Sequence, residues 1–126
     1  MDRWATVGGV SYNIAQAPAT KQMELLNMVG AAVLARYQQT GAQIDSNLLL
    51  GLLLVMPLEK FNSIASIVLY KTFQEGGKSA VTVGDFQNQP TNYYLLVAEG
   101  IKANLDDFFT YLTSSQSDES ETETKA

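Results

Sequence analysis

Apolar positions along this chain change period several times, and each change marks an element. From Trp4 to Ile14 they fall in two short β-prone runs joined by Gly8-Gly9. A Gly-Gly pair between such runs suits a primed hairpin turn, which needs positive φ at both central residues. It is not a phosphate loop, since neither GxGxxG nor GxxxxGK[ST] occurs here. Trp4, Val7, Val10, Tyr12 and Ile14 supply apolar contacts, and because an isolated hairpin is marginal in water it must pack on something. After Pro18 the spacing becomes three and four. Met23, Leu26, Gly30, Val33 and Tyr37 then form one stripe of a helix predicted from about Ala19 to Gln39. Thr20 is its expected N-cap, Glu24 lies near the third helical position, and Gly41 is its stop. Gly30 costs about 1 kcal/mol against Ala in mid-helix, which implies close approach of another helix.

Ile44 to Met56 reads IDSNLLLGLLLVM. Asp45 or Ser46 can cap a helix of about ten residues that is apolar on nearly every side, too short for a bilayer, which needs about 20. Such a helix is either buried at the centre or turns its outer face to another subunit. Pro57 suits the first turn of the next helix, which is predicted to run to about Gln74 and stop at Gly76-Gly77. Leu58, Phe61, Ile64, Ala65, Val68 and Phe73 lie on or near one of its faces. Lys78 to Asp85 reads as an extended piece, with Val81 and Val83 pointing the same way along a strand that could pair with the hairpin. The last helix begins near Pro90-Thr91. Tyr94, Val97, Ile101, Leu105, Phe108 and Leu112 form its stripe, Phe109 widens it, and Glu99, Lys102, Asn104, Asp106 and Asp107 are left toward solvent. Beyond Thr113 the chain is SSQSDESETETKA, too poor in apolar residues to offset its ordering entropy. The expected fold is thus mainly α: one helical domain of about four helices over 1–113, with a short N-terminal β-hairpin and a disordered acidic tail over 114–126.

Composition narrows the function. The chain has 126 residues, 46% of them hydrophobic and 17% charged. One core fits that length, and a surface short of charge leaves apolar area for partners. Net charge is −5; Asp118, Glu119, Glu121 and Glu123 against Lys125 supply −3, leaving −2 for the body. The eight Lys and Arg are scattered, which argues against nucleic acid, whose phosphates need a positive footprint. Cysteine and histidine are absent, excluding disulfides, thiolate chemistry and His-based acid–base or metal roles. Met1 is followed by Asp2, Arg3 and Trp4 without an apolar run, so a cytoplasmic protein is expected, with no membrane partner.

Catalytic candidates are equally thin. Asp106 and Asp107 are helix neighbours about 100° apart and cannot share a proton as a catalytic dyad does. Glu59, Glu75 and Glu99 lie on three different segments. Ser and Thr lack an activating base other than Lys or a carboxylate, and neither a G-x-S-x-G elbow nor an EF-hand loop is present. No catalytic residue, metal ligand or cofactor site is expected, and the protein is read as a non-enzyme. What remains is apolar and aromatic surface of the kind that interface hot spots use. Tyr93 and Tyr94 adjoin and must face different ways, and Phe86 either staples the helix start or stands out as an anchor. Leu49, Leu53, Phe86 and Tyr93 are the candidate partner-binding residues.

Val81 to Leu112, VTVGDFQNQPTNYYLLVAEGIKANLDDFFTYL, resembles the C-terminal part of the short tail assembly chaperones of long-tailed, lambda-like phages. There a V-x-V-x-D-F segment leads to a last helix with a leucine- and aromatic-rich face. The resemblance implies a small helical protein of the host cytoplasm, absent from the finished virion, that coats the tape measure protein. It also implies a longer frameshifted form whose extension recruits tail tube protein, with the acidic tail as the linker, and it is compatible with a homo-oligomer. The rival from another class is a structural virion component of the tail or head–tail connector, which would be richer in strand.

Overall fold

The computed structural model describes residues 2–41 and 44–114; the acidic tail expected to lack structure lies outside the described residues from 115 onward. The alternating N-terminal run folds as an antiparallel hairpin of β1 (Asp2–Val7) and β2 (Val10–Ala15), with Val7 opposite Val10 and Asp2 opposite Ala15. Gly8 and Gly9 have φ of 59° and 81°, the left-handed values a primed turn requires. Gly8 is fixed twice over, because a Cβ there would sit 2.6 Å from the Asn92 amide. Alternation sends Ala5, Val7, Tyr12 and Ile14 inward and leaves Trp4 exposed.

The third strand is not where the sequence placed it. The helix expected to reach Gln74 ends at Val68, the chain turns, and β3 (Thr72–Gln74) pairs antiparallel with β2, Ile14 opposite Thr72, giving the order β1-β2-β3. Thr72 is fully buried and donates its hydroxyl to the Val68 carbonyl (3.2 Å), tying the new strand to the helix it leaves. Of the segment Lys78 to Asp85, only Ala80 bridges Phe73. The rest turns instead of pairing, because Thr82 and Asp85 cap each other reciprocally around a 3-10 turn over Val83–Phe86, the Thr82 N–H donating to Asp85 Oδ2 at 2.9 Å. The Val81/Val83 alternation therefore loses to a local cap, and Val83 stands exposed.

Among the described residues, five α-helices accompany this sheet. The first, α1 (Ala19–Thr40), enters directly from Pro18 without a side-chain cap and ends at Gly41, whose φ is 64° and whose N–H reaches the Tyr37 carbonyl at 2.8 Å. Its buried stripe is Leu25, Val29, Gly30, Val33 and Tyr37, rotated from the expected one: Met23 and Leu26 are exposed. Gly30, Val33 and Tyr37 are buried as expected, while in the first half of the helix Leu25 and Val29 take the inner side. The next helix, α2 (Ser46–Val55), is capped by Asp45, which accepts the Leu48 N–H at 2.9 Å. Pro57 then precedes α3 (Leu58–Val68), which buries Phe61, Ile64, Ala65, Ile67 and Val68.

At the centre lies α4 (Pro90–Asn104), packed on α2, α3 and the hairpin. Gly100 lets α3 approach, since a Cβ there would meet the Val68 side chain at 2.7 Å. The single long helix read from the sequence is broken: the chain bends at Leu105 (φ −118°, ψ 25°) and resumes as α5 over 106–114. Asn104, expected toward solvent, is buried at the bend. Its Oδ1 accepts the Ala17 N–H at 2.7 Å and the Gln22 amide at 3.4 Å, and its Nδ2 donates to the Gly100 carbonyl at 2.9 Å.

Candidate partner-binding surface

An aromatic ladder joins the sheet to the helices. Tyr12 stacks near Phe86 (centroids 6.1 Å apart), Phe86 meets Tyr93 (5.3 Å), and Tyr93 sets its edge to Phe61 (5.8 Å). Phe61 then stacks on Tyr94 at 4.0 Å and 12°. Such pairs contribute roughly 0.5–1.5 kcal/mol each beyond their burial. Burial pushes the phenols of Tyr93 and Tyr12 above their usual value, the Asp85 carboxylate adding to the effect at Tyr12.

The structure brings Phe86 and Tyr93 together in this ladder, and places Leu49 and Leu53 on the inner side of α2, the helix that α4 covers. Leu49, Leu53 and Phe86 are enclosed, at 1%, 1% and 4% exposure, and only Tyr93 keeps part of its surface. Leu49 and Leu53 thus lie on the side of α2 that the core claims, and Phe86 takes the enclosed one of the two positions expected of it rather than standing out as an anchor.

The open apolar surface is the reverse side of the same helix. Leu54 (62% exposed), Val55 (78%) and Leu58 (64%) follow one another across the α2–α3 corner. None of the four residues expected to meet a partner lies on this face; its signal in the sequence is the lack of any polar arc from Leu48 to Val55. A second open region is a groove of about 700 Å³ between α1 and α3, lined by Met23, Met28 and Ile67 with Asn27 and Ser63. Lys21 and Glu24 pair at its rim (3.1 Å). Flexible methionines suit a surface that must fit varied apolar partners.

Several charged groups are engaged structurally. Ser46 at the start of α2 donates its hydroxyl to the Glu99 carboxylate. Lys102 Nζ lies 3.4 Å from Ser46 Oγ and 3.8 Å from Glu99 Oε1. These contacts tie the start of α2 to α4. Asp106 pairs with Arg3 (3.7 Å), while Asp107 accepts the Phe108 N–H (2.7 Å), so the two neighbouring acids serve different partners. Among the described residues, no group of three or more acidic residues is placed to hold a metal ion, and no helix is long and apolar enough to cross a membrane.

A mainly α fold with its open chemistry in apolar corners and grooves defines the class of small protein-binding proteins. The chain belongs to the phage tail assembly chaperone protein family, TAC, whose sequence model matches residues 8–117, from the hairpin turn through α5. No match is found among curated proteins or solved structures. Membership of this family means a role in phage tail assembly with protein partners, and a chaperone's role is a non-enzymatic one.

Proposed function

We propose that this chain binds the tape measure protein during tail assembly and keeps it soluble until tube protein polymerises around it. The observation that carries the proposal is the exposed corner of Leu54, Val55 and Leu58, in a chain of the tail assembly chaperone family. Three large aliphatic side chains in succession form an apolar patch of the kind that marks a binding site. A long, helical partner with apolar stripes can lay one of them against it, the helix-in-groove mode of recognition. Leu49, Leu53, Phe86 and Tyr93 serve the same binding from within, the leucines by fixing α2 on α4 and the aromatic pair by joining the sheet to α3 and α4. The domain over 1–113 does the binding, and the acidic tail over 114–126 keeps the complex soluble through its charge. In a longer frameshifted form the tail links to an extension that recruits tail tube protein. The chain acts in the host cytoplasm and is left out of the mature virion.

Co-expression with the tape measure protein from the same gene neighbourhood tests this. A soluble complex recovered by pull-down, with the chain absent from purified particles, is the expected result. No complex, with the chain present in particles, would make it a structural virion component. Deleting 115–126 should lower the solubility of the complex and leave binding intact.

A further inference from the structure

The break between α4 and α5 is not made by a helix-breaking residue. From Ile101 to Ser114 there is neither glycine nor proline, the residues that ordinarily stop or kink a helix. The apolar spacing of Val97, Ile101, Leu105, Phe108 and Leu112 runs through the bend without slipping, as it would in one continuous helix. Helical hydrogen bonds survive on both sides, from Leu105 N–H to the Ile101 carbonyl (2.8 Å) and from Phe109 N–H to the Leu105 carbonyl (3.1 Å).

What holds the bend comes from elsewhere in the chain. Gln16 Nε2 donates to the Ala103 carbonyl at 2.8 Å; in a continuous helix that carbonyl would accept the N–H of Asp107. Asn104 accepts the Ala17 N–H, and Arg3 on β1 reaches Asp106. The Phe108 N–H, which a continuous helix would give to Asn104, goes to the Asp107 carboxylate. So bent, α5 lies against α1 at Gly30, where a Cβ would stand 3.9 Å from Phe108 Cζ, and it buries Phe109 and Leu112.

We infer that the seat of α5 on α1 is an exchangeable helix-binding surface, occupied by the chain's own α5 until the latch at Leu105 opens and 90–114 straightens into one helix. The occupant it fits is an amphipathic helix with large apolar residues in the i, i+1, i+4 pattern of Phe108, Phe109 and Leu112, because that is the helix seated there. Opening returns the Ala103 and Asn104 carbonyls to the N–H groups of Asp107 and Phe108, ordinary helical partners that a proline at the bend could not supply. The vacated seat is then offered to an apolar stripe of the client, a step that rests on the chaperone reading above.

The test uses the full chain, whose lack of cysteine allows two nitroxide labels at chosen sites, Thr91→Cys on α4 and Tyr111→Cys on α5. Straightened, the two positions lie about 30 Å apart, 20 residues at 1.5 Å each; bent, they lie closer. Electron–electron double resonance should show the short distance alone in the parent. It should show a second population near the long one in Arg3→Ala/Gln16→Ala, which leaves buried Asn104 in place. A fluorescein-labelled peptide of residues 104–114 should bind that latch variant at least about fivefold more tightly than the parent, since a binding-competent fraction scales the apparent affinity. A distance distribution that does not change, or peptide affinity equal in both proteins, would overturn the inference. Neither readout involves the tape measure protein, so a rigid junction and a wrong client are told apart.

Discussion

Helices α2 and α4 are both apolar, and the fold uses them in opposite ways. The central α4 buries Leu96, Val97, Ala98, Gly100, Ile101, Ala103 and Asn104, whereas α2, richer in leucine, buries only Leu49 and Leu53. Their glycines show the contrast at atomic scale. A Cβ on Gly100 would overlap Val68, while one on Gly51 would meet nothing within 4 Å. Apolar content therefore does not measure burial. In α4 it fills the core; in α2 the surplus, Leu54 and Val55 with Leu58 beyond, is left on the surface where a partner can cover it.

The contrast predicts opposite outcomes for the same substitution in the two helices. Gly100→Ala should destabilise the protein by about 1–3 kcal/mol in urea unfolding, because Val68 is fully buried and has no room to yield, and overpacking outweighs the better helix propensity of alanine. Gly51→Ala should do the reverse and stabilise by about 0.5–1 kcal/mol, since its site is open. If both changes destabilise alike, α2 is packed as tightly as α4 and the comparison fails. Leu54→Ser should move stability by no more than about 0.5 kcal/mol, as a side chain already in water has little burial to lose.

The smallest effect concerns the aromatic ladder. Tyr12 and Tyr93 have folded-state values raised above the usual phenol value of 10.0, so the folded protein holds their protons more firmly than the unfolded chain. The stability they contribute is full below pH 10.0 and declines as pH rises from there through their folded values. Absorbance titration at 295 nm should show part of the tyrosine signal ionising late, and Tyr93→Phe should remove part of that late component.

Much of the fold was legible because local rules decided it. The Gly8-Gly9 turn, the Asp45 cap, the Gly41 stop and the helical nature of 46–55 each follow from residues within a turn of one another. What was not legible depended on distant partners. Asn104 reads as a solvent-facing polar residue until Ala17, 87 positions away, supplies its hydrogen bond. The break at Leu105 carries no glycine or proline, so periodicity alone reads one helix from Pro90 to Leu112. The end of α3 at Val68 and the pairing of Thr72–Gln74 with β2 were hidden because the first glycine signal arrives only at Gly76.

The candidate site followed the same division. That α2 is apolar on nearly every side, leaving central burial and an outward partner face both open, was visible in Leu48 to Val55. Which arc faced outward was not, because a helix without a polar face has no periodicity to read. Leu49 and Leu53 were as plausible as Leu54 and Val55 until α4 was seen to lie on their side.

On the function proposed above, the α2–α3 corner is the client-binding surface. The decisive experiment is a pull-down of the co-expressed tape measure protein by Leu54→Asp/Val55→Asp, beside the parent and with circular dichroism and thermal unfolding of each. Loss of the complex with helix content and Tm unchanged is the predicted result. Full retention of the complex by a folded double variant would contradict it and send the search to the methionine groove between α1 and α3.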